Sequence, residues 1–190
     1  SSLTTTTGGT VHVGDSTLGA LPADRLIVGD TNPVLSNLGG RISIAGGSVL
    51  NHHSSVDIAP YANSFGSAVV TGTNSRFAIG GNLSLGTSGG SGDLQVLAGG
   101  RVTSVDASAG GNSTGSGAIS IDGADSLLTA TNNFTLNRAS TVAIAAGGSL
   151  AVGDAAGPIG NGITVADSDP ISADAGGLLT IAGGSTVTTQ

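Results

Sequence analysis

The chain has 190 residues, enough for one domain with a core of its own and short for two. Its 34 Gly far exceed the globular average near 7%, while 38% hydrophobic content excludes simple disorder and 2% aromatic content leaves the core to small and β-branched aliphatics. All five cations are Arg and all twelve anions Asp; the formal charge of −7 argues against nucleic acid and anionic membrane surfaces, and the lack of Cys rules out a disulfide staple or thiolate metal site.

Taken along the chain, short runs of alternating aliphatics end again and again at a Gly-rich break. Val11-His12-Val13-Gly14-Asp15 is the first, then Leu26-Ile27-Val28-Gly29-Asp30 and Ile42-Ser43-Ile44-Ala45-Gly46-Gly47. Leu83-Ser84-Leu85, Leu94-Gln95-Val96, Ile119-Ser120-Ile121, Val142-Ala143-Ile144 and Leu178-Leu179-Thr180-Ile181 follow. Period-two alternation over so few residues predicts short strands with one buried face. With neither Lys nor Glu, the usual surface helix formers are missing, and no helical period is sustained.

A longer repeat overlies the strands. Ala45-Gly46-Gly47-Ser48-Val49 recurs as Ala98-Gly99-Gly100-Arg101-Val102, as Ala146-Gly147-Gly148-Ser149-Leu150 and, with one insertion, at Ala182, at intervals of 53, 48 and 36 residues. Two units of about 50 residues, 68–117 and 118–166, align throughout: Asn82-Leu83-Ser84-Leu85 falls on Asn133-Phe134-Thr135-Leu136, and Phe77 on Leu127. Such a period is the mark of a solenoid, in which each coil buries its apolar face against the next. Val, Ile and Leu suit the stacked interior, and Gly suits the corners. The expectation is one all-β domain over 1–190, a parallel β-solenoid of the right-handed β-helix kind, with about four strands and two coils per unit. At roughly 20 residues per coil this makes about nine coils.

The stretches Val70-Thr71-Gly72-Thr73-Asn74-Ser75-Arg76-Phe77, Gly81-Asn82-Leu83-Ser84-Leu85-Gly86 and Gly92-Asp93-Leu94-Gln95-Val96-Leu97-Ala98-Gly99-Gly100-Arg101-Val102 resemble the passenger repeats of bacterial autotransporters. They are also similar to surface proteins carrying autotransporter-associated β-strand repeats. The resemblance extends over most of residues 10–190 and implies a β-helix secreted from the cell or displayed at its surface. It carries the fold much further than any activity. The start at Ser1 without Met reads as a processed mature segment, and no run approaches the 18 or so apolar residues of a membrane span.

Candidate chemistry is sparse. Gly89-Gly90-Ser91-Gly92-Asp93-Leu94 approximates a calcium-binding nonapeptide, but the Asp comes one residue early and the motif does not repeat in tandem, so a plain turn is expected and no cofactor is assigned. Asp167, Asp169 and Asp174 crowd around Pro170, either to meet a cation or as solvated turn formers. His52 and His53 point to opposite faces if they lie in a strand, which argues against a joint metal site and for an exposed loop. No pair of carboxylates presents itself for acid–base work, so an enzyme is not expected.

Two functions fit these features. A structural surface protein, a filament subunit or rigid stalk, would assemble by head-to-tail stacking of its open ends, with Val11 and Val13 at one end and Val187 at the other; its partner is then the chain itself. An adhesin would instead bind glycans or cell surfaces through inserts at 51–68, 105–117 and 154–177, with Tyr61 and Phe65 stacking on a sugar.

Overall fold

A computed structural model describes residues 2–13, 25–29, 39–111, 114–153, 162–165 and 176–189. All of its regular elements are strands, and they follow one another in triplets. The first is β1 (Ser2–Thr5), β2 (Thr10–Val13) and β3 (Leu26–Val28); the second is β4 (Gly40–Ala45), β5 (Val49–His52) and β6 (Val56–Ile58). Next come β7 (Phe65–Thr71), β8 (Arg76–Ile79) and β9 (Leu83–Leu85), then β10 (Ser91–Leu97), β11 (Arg101–Ser104) and β12 (Ala107–Ala109). The triplets β13 (Ser116–Asp122), β14 (Leu127–Ala130), β15 (Phe134–Leu136) and β16 (Thr141–Ala145), β17 (Ser149–Val152), β18 (Ile163–Val165) precede a closing pair, β19 (Leu178–Ile181) and β20 (Thr186–Thr189).

Every third strand pairs in parallel with its counterpart, which makes three walls. Sheet A is β1-β4-β7-β10-β13-β16-β19, sheet B is β2-β5-β8-β11-β14-β17-β20, and sheet C is β3-β6-β9-β12-β15-β18. The chain is therefore a three-walled parallel β-solenoid. Walls seven, seven and six strands deep fall short of nine coils, because the coil is longer than expected. Gly66 pairs with Gly92 and Gly92 with Gly117, steps of 26 and 25 residues. The roughly 50-residue stretch from Gly66 to Gly117 thus spans two coils with six strands, rather than four.

The third wall accounts for the difference. Residues 51–68 and 105–117 are not inserts: they contain β6 and β12, which close the coil as members of sheet C. Both strands are three residues long, and β12 turns only Ala107 and Ala109 inward, too little apolar bulk to read as a strand in sequence. Residues 154–177 lie largely outside the described residues, apart from β18 and the glycines at 162, 176 and 177.

Inward positions stack in register. In sheet A, Ile44, Val70, Val96, Ile121 and Ile144 form one column, all essentially inaccessible; in sheet B, Leu50, Phe77, Val102, Leu128 and Leu150 form another. Burying each such aliphatic stabilises the coil by about 1.5–3 kcal/mol. Size is compensated between neighbours: Phe134 in sheet C pairs with Ala107 below it, so the largest side chain of that wall stands on one of the smallest.

A glycine column runs through sheet A, where Gly40, Gly66, Gly92 and Gly117 occupy consecutive levels. A Cβ on Gly66 would lie 2.1 Å from the Val28 carbonyl oxygen. Here the wall passes too close to sheet C for any side chain. The spacing Gly-x-aliphatic in Gly40-Arg41-Ile42, Gly66-Ser67-Ala68, Gly92-Asp93-Leu94 and Gly117-Ala118-Ile119 is the sequence signal that marks it.

Candidate functional site: the open ends and the outer walls

The two edge strands of sheet B are β2 and β20, and they hold all three residues singled out for the ends. Val11 pairs with Leu50 and packs half-buried against the core; Val13 pairs with His52; Val187 pairs with Leu150 and is likewise half-buried. The C-terminal end is the more open. Ile181 is 48% exposed although Ile144, its register partner, is 1% exposed, and Val165 is 47% exposed beside fully buried Leu136. These are core positions of the solenoid that no further coil among the described residues covers.

Tyr61 and Phe65 lie four residues apart where sheet C turns into sheet A. Tyr61 opens a turn clasped by Ser64, whose hydroxyl accepts the Tyr61 N–H at 3.2 Å and donates to the Tyr61 carbonyl at 2.7 Å. Phe65 is the first residue of β7 and points outward. The rings are 39% and 48% exposed, whereas Phe77 and Phe134, the other aromatics, are wholly buried.

His52 and His53 do face opposite ways, but His52 is no loop residue. It is the last residue of β5, buried in the column between Val13 and Ile79, with its Nε2 3.1 Å from the Ser55 carbonyl oxygen. His53 is exposed. Asp93 is an outward residue of β10 whose carboxylate accepts the Gln95 amide at 2.8 Å, and Gly92 beside it belongs to the close-packed glycine column. Asp167, Asp169 and Asp174 lie outside the described residues. Among the described residues no cluster of three His, Asp or Glu side chains is placed to hold a metal.

Sequence reasoning passed over the arginines and Asp57. Asp57 is the outward residue of β6, yet it is buried, and Arg25 forms an ion pair with it. Arg76 and Arg101 are in-register neighbours on the outside of sheet B, both exposed. Adjacent coils with Arg at the same position were visible in principle, since each Arg precedes an apolar residue just after a corner. Recognising them as neighbours requires the 25-residue coil rather than the 50-residue unit.

No helix among the described residues is long and apolar enough to cross a membrane. No protein-family model, curated protein or solved structure matches this chain.

Proposed function

We propose that the chain is a structural element of the bacterial surface, a rigid right-handed β-helix that serves as a filament subunit or stalk by stacking end on end. The observation that carries this reading is the open C-terminal end, where Ile181 and Val165 occupy core columns and remain about half exposed. Another coil with the same three-walled section would cover them, and the N-terminal coil of a second copy offers half-buried Leu3 and Val11 in the columns of Leu179 and Val187, with Thr5 and Val28 in those of Ile181 and Val165. Identical copies joined head to tail through their two different ends give an open, non-closing contact, the kind that makes fibres. The likeness of the repeats to autotransporter passengers supports secretion, and the general right-handedness of parallel β connections supports the hand of the helix. Electron microscopy of the concentrated chain tests assembly. Filaments with an axial repeat of one monomer length are expected; dispersed short rods at every concentration would sink the proposal.

A second reading, an adhesin, is favoured by one observation: both exposed aromatics sit together at a single corner, while the other two are in the core. A glycan laid on Tyr61 and Phe65 would gain ring stacking from an otherwise aromatic-free surface. A glycan array should then show hits that Tyr61→Ala removes; hits indifferent to that change would exclude this corner.

A further inference from the structure

Sheet B is the only wall whose strands carry net positive charge. Its seven strands contain Arg76 and Arg101 and no Asp, whereas sheet A holds Arg41 against Asp93 and Asp122, and sheet C holds Asp57 alone. In a chain of net charge −7, two of the five cations are thus concentrated on one face. They also sit directly one above the other, Arg76 pairing with Arg101. Parallel strands bring such positions to about 4.8 Å, and like charges directly opposite are destabilising unless an anion lies between them. No described carboxylate is within 4.0 Å of either guanidinium. Arg25, by contrast, is neutralised by Asp57.

The surroundings of the pair are mixed. Val49 and Leu127 flank it above and below in the same column, and Asn51, Ala78, Thr103 and Thr129 form the adjacent outward column of short side chains. We propose that this wall binds an acidic polysaccharide running along the solenoid axis, with Arg76 and Arg101 each taking one carboxylate or sulfate of successive sugars. A guanidinium presents a planar fork that matches an oxyanion in bidentate fashion, and two forks one strand apart suit a polymer with one charge per sugar. Thr103, Thr129 and Asn51 supply partners for sugar hydroxyls. Nucleic acid fits poorly: a duplex carries a phosphate charge every ~1.7 Å, denser than two guanidiniums one strand apart can match, and the described residues of this wall expose no aromatic ring for a base.

The test is calorimetric titration of the whole chain at low ionic strength with polygalacturonate, dextran sulfate, uncharged dextran, duplex DNA and sodium sulfate. Binding is expected to polygalacturonate or dextran sulfate, the stronger of the two identifying the oxyanion, and not to dextran or DNA. Arg76→Gln and Arg101→Gln should each weaken it by roughly tenfold, with Arg41→Gln as an unaffected control. Circular dichroism of the variants confirms that these outward side chains are dispensable for folding. The proposal is overturned if neither acidic polymer binds, if the double variant binds like the parent, if Arg41→Gln is equally harmful, or if DNA or free sulfate binds as tightly as the polymers. Filament formation is a separate readout and does not enter this result.

Discussion

The Ser126 hydroxyl accepts the Gly99 backbone N–H of the coil below at 3.0 Å, and donates to the Asp122 carbonyl at 2.7 Å in its own coil. Ser75 likewise accepts the Gly47 N–H, two coils earlier, at 3.0 Å. In between, at the same corner, stands Gly100, where a Cβ would come within 2.3 Å of the Val70 carbonyl oxygen. Corners between sheets A and B thus alternate through the middle of the stack. A four-residue form, Gly72-Thr73-Asn74-Ser75 or Gly123-Ala124-Asp125-Ser126, reaches down to clasp a three-residue form, such as Ala98-Gly99-Gly100. This alternation gives the sequence a two-coil period.

Removing the clasp should therefore cost more than a surface serine would. Ser126→Ala leaves the Gly99 N–H buried without an acceptor, and a loss of about 1–2 kcal/mol is expected in urea unfolding followed by circular dichroism. A change within a few tenths of a kcal/mol would show that the hydroxyl is not needed there.

Ala98 and Ala146 occupy left-handed backbone, with φ of 50° and 49°, at exposed positions. The equivalent residue of the second coil is Gly46, with φ of 63°. The Cβ penalty in this region exceeds the chain entropy that Gly adds, so Ala98→Gly should stabilise by about 0.5–1 kcal/mol, and the double replacement by about twice that. A lower urea midpoint for Ala98→Gly would contradict the conformation assigned to this corner.

Ser104 lies in the core column between Ile79 and Ala130, and its buried hydroxyl has no partner among the described residues. Deleting an orphan polar atom lifts a desolvation cost. Ser104→Ala is expected to raise stability by about 1 kcal/mol, an unusual sign for a core truncation.

Phe134 should behave in the opposite way. Its ring fills the space left by Ala107, and Phe134→Ala would open a cavity between two walls at a cost of about 3–5 kcal/mol. Thermal unfolding of the variant reads this directly; near-parental stability would mean that the walls collapse onto each other.

The two isoleucines of one column separate folding from assembly. Ile144→Asp places a charge in a closed interior and should prevent folding, whereas Ile181→Asp, at a half-exposed end position, should leave the monomer spectrum intact. If the ends stack, only the second variant gives folded chains that fail to form filaments under the microscope.

Much of this architecture was legible in the residues. Short alternating runs, abundant Gly and a paucity of aromatics define parallel coils with an aliphatic interior, because the side-chain period of a strand is two and tight corners select Gly. Asn82 to Leu85 does lie over Asn133 to Leu136 in sheet C, through β12 between them. Register was a different matter. The shared letters Ala-Gly-Gly align Ala45 with Ala98, but the sheet pairs Ala45 with Thr71 and Thr71 with Leu97, so Gly46 is the true counterpart of Ala98. Likewise Phe77 falls on the column of Leu128, not Leu127. A slip of one residue exchanges the inner and outer faces of a strand, and only the closing of the coil decides it.

The sequence by itself therefore determined the class of fold and the chemistry of its core, since these depend on composition and local period. The tertiary structure decided how many residues make a coil, that a third wall of minimal strands completes it, and which charges become neighbours. Arg76 and Arg101 are 25 residues apart along the chain and one strand apart in the sheet. No local pattern encodes that distance, because it is the sum of three strands and three corners whose lengths each vary.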